Sequence, residues 1–135
     1  MTTVTPAPTA TSVRPPRRAR ASRLGLRAVR LLLAAQFAAA GVLKLAADVR
    51  MVAMFDDIGG GPGLRLLVGA CEVASAVGLL VPRLTRPAAA GLVALMVGAV
   101  VTNVVVLHTS PVVPLVLLGL AAVVATTPGA TRSAR

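Results

Sequence analysis

Glu72 has the clearest chemical potential in this chain, because it lies alone in the apolar run LLVGACEVASAVGLL. A carboxyl in such surroundings is either held protonated or ionised against a cation, and an intramembrane carboxylate of either kind marks a functional or a paired group. Lys44, near the end of an earlier apolar run, has a stem long enough to reach inward and is its natural partner. Asn103, inside a third run, and His108, at its end, add hydrogen-bonding groups on the same side. Together the four residues allow a polar site in which Glu72 gains and loses a proton, Lys44 tunes it, and Asn103 or His108 contacts a substrate or a quinone head. They equally allow a structural ion pair with hydrogen bonds that fix helix register. Taken singly, Lys44 could snorkel to an interface and His108 could be an exposed loop residue. Gln36, in the first run, is expected to hydrogen-bond to another helix.

The remaining residue types offer little chemistry. A lone Cys71 forms no internal disulfide or CxxC pair and is expected to pack as a small apolar residue. One histidine and one cysteine do not by themselves ligate haem or an iron–sulfur cluster. The run GGGPG at 59–63 lacks the strand context and spacing of a dinucleotide fingerprint, and no nucleophile elbow, phosphate loop or metal-ligand cluster is present. The chain is therefore expected to bind no cofactor or metal by itself and to be no enzyme on its own. A quinone is the candidate ligand.

The elements that position these residues are apolar helices. Hydrophobic residues make up 56% of the chain and charged ones 13%, about half the charge of a soluble domain. With a mean hydropathy of +0.86, water is the wrong solvent for it. Four runs, at about 28–45, 64–81, 88–107 and 112–126, approach the length needed to cross a bilayer. Between the first two, Met51, Val52, Phe55 and Ile58 recur at helical spacing beside Asp48, Arg50, Asp56 and Asp57, which predicts a short interfacial helix stopped by GGGPG. Small residues at Ala70, Ala74 and Gly78 and at Ala90, Ala94, Gly98 and Thr102 predict that the second and third spans pack along those stripes. The architecture predicted is all-α, an integral membrane four-helix bundle occupying residues 27–127.

Residues 1–26, rich in Thr, Pro, Ala and Arg, are expected to form a disordered basic tail, and 128–135 a short basic one. A basic stretch before an apolar run resembles a signal peptide, but the run continues past its small residues and PPRRARASRL lacks the hydrophobic pair that follows a twin arginine in an export signal. Fourteen Lys and Arg give a net charge of +10, which in a soluble protein suggests nucleic acid. Here the arginines flank apolar runs, and stacking residues are limited to Phe37 and Phe55, so no nucleic-acid partner is expected. Arginine instead sets orientation: the N-terminal tail, the Arg83/Arg86 hairpin and the C-terminal arginines share one side, the cytoplasm, while the His108 turn carries none. Four spans satisfy this placement.

The order of motifs resembles the DoxX and DoxX-like membrane proteins. Gly41-Val42-Leu43-Lys44 closes the first helix, Gly60-Gly61-Pro62 follows, and Gly69-Ala70-Cys71-Glu72 leads to Gly78-Leu79-Leu80. The basic hairpin at 82–87 and a polar third-helix end complete the likeness over about 27–126. The resemblance implies a four-helix bundle in a cell membrane, the bacterial plasma membrane. For some members it implies association with oxidoreductase systems that handle quinols, sulfur compounds or oxidative stress. Expected partners are the lipid bilayer and a membrane or peripheral redox protein, with a homo-oligomer open as well. Two other readings of the residues stand beside this one: a small proton-coupled transporter using Glu72, and a purely structural scaffold. The long arginine tail departs from the compact family pattern.

Overall fold

The computed structural model describes residues 17–127, and every element among them is helical. In order they are α1 (Arg17–Leu45), α2 (Val49–Asp57), α3 (Gly61–Leu80), α4 (Thr85–Val101) and α5 (Val112–Thr126). α4 runs on into one π-helical stretch, Thr102–Val106. α1 therefore begins at Arg17, and residues 17–26, expected to be disordered, are helical because the arginine-rich stretch continues the apolar helix behind it. The rest of the basic tails, 1–16 and 128–135, lies outside the described residues.

Local chemistry explains the boundaries. α1 ends in a Schellman-type turn: Ala47 takes φ 57°, and the Asp48 N–H donates to the Leu43 carbonyl at 3.0 Å. The Asp48 side chain then accepts from the Arg50 N–H at 3.0 Å and caps α2. Gly59, with φ 70°, ends α2 in the same way, its neighbour Gly60 donating to the Phe55 carbonyl at 2.9 Å. Pro62 in the first turn of α3 needs no N–H partner there.

α1 packs on α3, α3 on α4, α4 on α5, and α5 returns to α1, while α2 lies against α3 and α1. Successive long helices are antiparallel, since Arg30 meets the end of α3 at Leu79 and Lys44 meets Glu72 farther back. One end of the assembly thus gathers Arg30, the end of α3, the start of α4 and the end of α5. That half holds a solid core in which Leu33, Phe37, Leu79 and Leu92 are fully buried among Ala76, Ala89, Ala121 and Val124. The opposite half is hollow.

Three helices are long and apolar enough to cross a membrane: Ala21–Leu45, Gly61–Leu80 and Thr85–Val106. α5 has the bounds expected of the fourth crossing but is only 15 residues long, about 22 Å at 1.5 Å per residue against a hydrocarbon core of about 30 Å. Leu31, Leu32, Leu67, Val105 and Val116 point outward, as apolar side chains of a membrane protein facing lipid do.

The small-residue stripes pack differently from expectation. Ala70 and Ala74 are exposed, and Ala94 and Gly98 line the hollow half instead of α3. The α3–α4 contact uses a neighbouring face, where a Cβ on Gly78 would lie 2.7 Å from the Ala88 Cβ and one on Gly91 would lie 3.6 Å from Ser75 Oγ. The closest backbone approach joins α1 to α3: a Cβ on Gly41 would lie 2.8 Å from the Gly69 carbonyl oxygen, and one on Gly69 3.0 Å from that of Gly41. Each of these two positions must be glycine because the other's backbone carbonyl occupies the space a Cβ would need. Spacing alone could not choose between stripes one residue apart on an alanine-rich helix.

Gly41→Ala should therefore push α1 off α3 and lower stability by about 1–3 kcal/mol, the usual range for overpacking. Gly119→Ala, at an exposed position with nothing within 4 Å of the added Cβ, should leave stability unchanged or raised. Thermal unfolding of both variants in detergent, followed by circular dichroism, measures the difference.

Candidate functional site

The hollow half contains the site. Lys44 projects from the last turn of α1, and Glu72 is the twelfth residue of α3, about 16 Å from that helix's start by the 1.5 Å rise. Glu72 thus sits near the middle of its helix, deeper than its position in the apolar run suggested, because α3 begins at Gly61 and not at Leu64. The Lys44 ammonium donates to both carboxylate oxygens, Oε1 at 3.1 Å and Oε2 at 2.9 Å. The two residues are 8% and 4% exposed, and such a pair holds in low dielectric only because both partners are present and hydrogen-bonded.

Arg65, which was not singled out from the sequence, completes the buried cluster. It is one turn before Gly69 on α3, is 8% exposed, and its Nη1 donates to the carbonyl of Lys44. That carbonyl belongs to the last turn of α1, where its one backbone partner is the Ala47 N–H of the following turn at a long 3.4 Å and the helix end presents partial negative charge. The same device recurs at the opposite end. Arg30 donates through Nε at 3.2 Å and Nη2 at 2.5 Å to the carbonyl of Leu79 at the end of α3. Arg86 Nε donates at 3.2 Å to the carbonyl of Ala125 at the end of α5. Thr85 Oγ1 adds bonds to the Leu79 and Val81 carbonyls at 3.4 and 3.1 Å. An arginine from a neighbouring helix thus closes the C-terminal end of α1, α3 and α5.

Lys44 and Glu72 form one wall of a cavity of about 620 Å³. Its other walls are Phe37 and Ala40 of α1, Leu64 and Val68 of α3, Ala94, Leu95, Met96, Gly98 and Ala99 of α4, and Val113, Pro114 and Leu117 of α5. α2 closes one side with Met51, Met54, Phe55 and Ile58, so the predicted amphipathic helix turns its apolar face into the cavity. The volume lies within the range of small-molecule pockets, and the lining is apolar with few polar groups, as such pockets are.

Of the other expected site residues, Asn103 reaches the cavity and His108 does not. Thr102 and Asn103 open the π-helical turn and both line the cavity. A π turn re-aims the residues within it, and such turns occur often at functional sites. Asn103 Nδ2 also donates to the Ser110 carbonyl at 3.4 Å, tying the turn to the following loop. His108 takes φ 50° in that loop and is exposed, since the chain must reverse there to start α5. Gln36 lines the cavity instead of bonding to another helix. Cys71 is exposed on the outer face of α3, one residue away from the buried face that holds Glu72. Among the described residues no three His, Cys, Asp or Glu side chains gather as a metal-ligating group.

The sequence profile of the DoxX-like family matches residues 28–126, a stretch that contains every residue of the cavity. No curated protein and no solved structure matches the chain.

Breaking the buried pair on one side should be severe. Glu72→Leu strands the Lys44 ammonium and Lys44→Met strands the carboxylate, each expected to lower stability by about 3–5 kcal/mol, whereas the double replacement should recover most of that loss. A double-mutant cycle read by denaturant unfolding in detergent measures the coupling.

Proposed function

The chain belongs to the DoxX-like family of membrane proteins, and on that premise we propose that it is an accessory subunit of a membrane oxidoreductase system whose cavity holds a lipid-soluble quinone. The observation that carries this reading is the hydrogen-bonding lysine and carboxylate in the wall of an otherwise apolar cavity. A quinone presents two carbonyl oxygens on an apolar ring. The Lys44 ammonium can turn one N–H toward such an oxygen while keeping its bond to Glu72, and the amide of Asn103 offers a second donor from the opposite wall. Electron transfer itself is assigned to a partner protein. The chain contributes binding, orientation and exclusion of water.

In this reading the assembly crosses the membrane four times, with α5 as the shortest crossing and the arginine end in the cytoplasm. Support comes from charge placement: Arg23, Arg27, Arg30, Arg83 and Arg86 all lie toward the end where α1 and α4 start. Positive charge is retained on the cytoplasmic side. In a Cys71→Ser background, Thr109→Cys should be labelled by an impermeant maleimide added to intact cells and Leu84→Cys should not. The reverse pattern inverts the orientation.

Two alternatives have less behind them. In a proton-coupled carrier the carboxylate must exchange its proton with a path, yet both Glu72 oxygens are engaged by one ammonium. A scaffold would gain from filling the space beside the pair, because an unfilled cavity destabilises a packed core.

Isothermal titration of the chain in nanodiscs with a short-chain water-soluble quinone tests the proposal. The Lys44→Met, Glu72→Leu double variant should remain folded and bind at least tenfold more weakly, a loss of about 1.4 kcal/mol. Equal affinity, or no binding by the parent chain, removes the cavity's assigned role.

A further inference from the structure

The cavity contains a polar group that the ion pair leaves unexplained. Gln36 lines it from α1 with its side chain exposed, and among the described residues nothing hydrogen-bonds to its amide. Every other residue of α1 between Arg30 and Lys44 is apolar or glycine. Gln36 lies six residues from Arg30, about 9 Å from the level at which arginine closes the end of α3, so its short stem does not bring the amide to the headgroups. A glutamine amide has two N–H donors and a carbonyl acceptor, and in an apolar setting all three carry their full desolvation cost until a partner arrives. The neighbouring polar groups do not supply one. Lys44 and Glu72 satisfy each other, and Asn103 is tied to the Ser110 carbonyl. The Thr102 hydroxyl, also in the cavity wall, can turn back onto a carbonyl of its own helix.

Its position suits a ligand held by the ion pair. A Cβ on Gly41 would lie 3.1 Å from the Glu72 Cβ, so Gly41 marks the level of Glu72 on α1. Gln36 precedes Gly41 by five residues, about 7.5 Å along the helix toward the arginine end. Asn103 lies on the other side of the pair, in the π-helical stretch at the far end of α4. A ring with an oxygen at each end, and a hydrogen bond beyond each oxygen, bridges a gap of the order that separates Gln36 from the pair. Phe37, next to Gln36, and Phe55 line the same cavity and are the chain's two aromatic residues, so the flat apolar faces available to such a ring are gathered here.

We propose that Gln36 is a specificity-determining residue of the cavity: its amide binds the ring oxygen that faces the arginine end, so that the site takes the dihydroxy, reduced form of the ligand as well as the quinone. The inference rests on the quinone reading above and deepens it. An ammonium only donates, so Lys44 recognises a carbonyl oxygen. A quinol presents O–H donors instead, and Gln36 Oε1 accepts from one of them. Rotation of the same amide lets Nε2 donate to the carbonyl of the quinone. Both forms therefore satisfy Gln36, whereas an aliphatic chain in the cavity leaves it without a partner.

The test is isothermal titration of the full chain in nanodiscs with a short-chain water-soluble quinone and, under anaerobic conditions with excess reductant, with its quinol. The parent chain should bind the two forms with affinities within about tenfold of each other, a difference of about 1.4 kcal/mol or less. Gln36→Met keeps the length of the side chain and removes its hydrogen bonds, and should weaken both forms at least fivefold. Its thermal midpoint should be unchanged or raised, because the amide has no partner in the protein to lose. Gln36→Leu removes the amide with a different shape and should act alike. Unchanged affinity of both variants for both forms, or a parent chain that binds the quinone and not the quinol, overturns the inference and leaves the cavity's role standing. Binding of neither form by the parent chain removes that role and this inference together. A change of particle mass on Gln36→Met, read by light scattering in detergent with ligand affinity unaltered, would assign the amide to a contact between copies of the chain and likewise overturn the proposal.

Discussion

A lysine ammonium 2.9 Å from a glutamate carboxylate, both shut away from water, is the interaction on which the rest of this structure depends. Neither ion is tolerable alone in an apolar interior, so α1 and α3 have one register in which both are satisfied. That register sets Gly41 against Gly69, and the absence of two side chains lets the helices approach closely enough for the Lys44 ammonium to reach Glu72. The contact is mutual: the glycines permit the ion pair, and the ion pair selects this crossing among the many that an alanine-rich and glycine-rich surface allows.

The same scarcity of water governs the helix ends. Each α-helix leaves its last carbonyls without amide partners, and in an apolar solvent only protein can supply donors. Arg65, Arg30 and Arg86 do so for α1, α3 and α5, each reaching from another helix. Arginine suits the role because its guanidinium carries several donors and stays charged, while the helix end offers a matching partial negative charge. α4 ends differently, in a π turn that hands its polar residues Thr102 and Asn103 to the cavity and its chain to a loop.

How much of this could be read from the chain varies with the physics involved. The apolar runs, the turn at GGGPG, the amphipathic α2 and the pairing of Lys44 with Glu72 were all legible, because hydropathy, glycine and isolated charge are local signals. The family was legible from the order of short motifs. Arg65 was not, since an arginine near the start of a span reads as a loop charge until a neighbouring carbonyl is seen beside it. The stripes on α3 and α4 misled because Ala70 and Gly69 differ by one position and by a helix rotation of about 100°. His108 lies close to Asn103 in sequence, yet the π turn between them and the left-handed backbone of His108 itself send one to the cavity and the other to the surface.

The division into a solid half and a hollow half bears on what the pair is for. If Lys44 and Glu72 served only to align helices, the least costly arrangement would surround them with packed side chains, as Leu33, Phe37, Leu79 and Leu92 pack the other half. Instead the pair faces about 620 Å³ of space bounded by methionines, valines and leucines. In a membrane such a space does not stay empty, for lipid-soluble molecules surround it at high concentration. Its walls discriminate among them: an aliphatic tail satisfies the apolar lining and leaves Lys44 and Asn103 without a new partner. A ring with carbonyl oxygens satisfies both. The difference between those occupants is the free energy of hydrogen bonds made in low dielectric, where each is stronger than in water and each omission is felt. On the quinone proposal, the alignment that the pair enforces on α1 and α3 would also hold a polar anchor in place for that ligand.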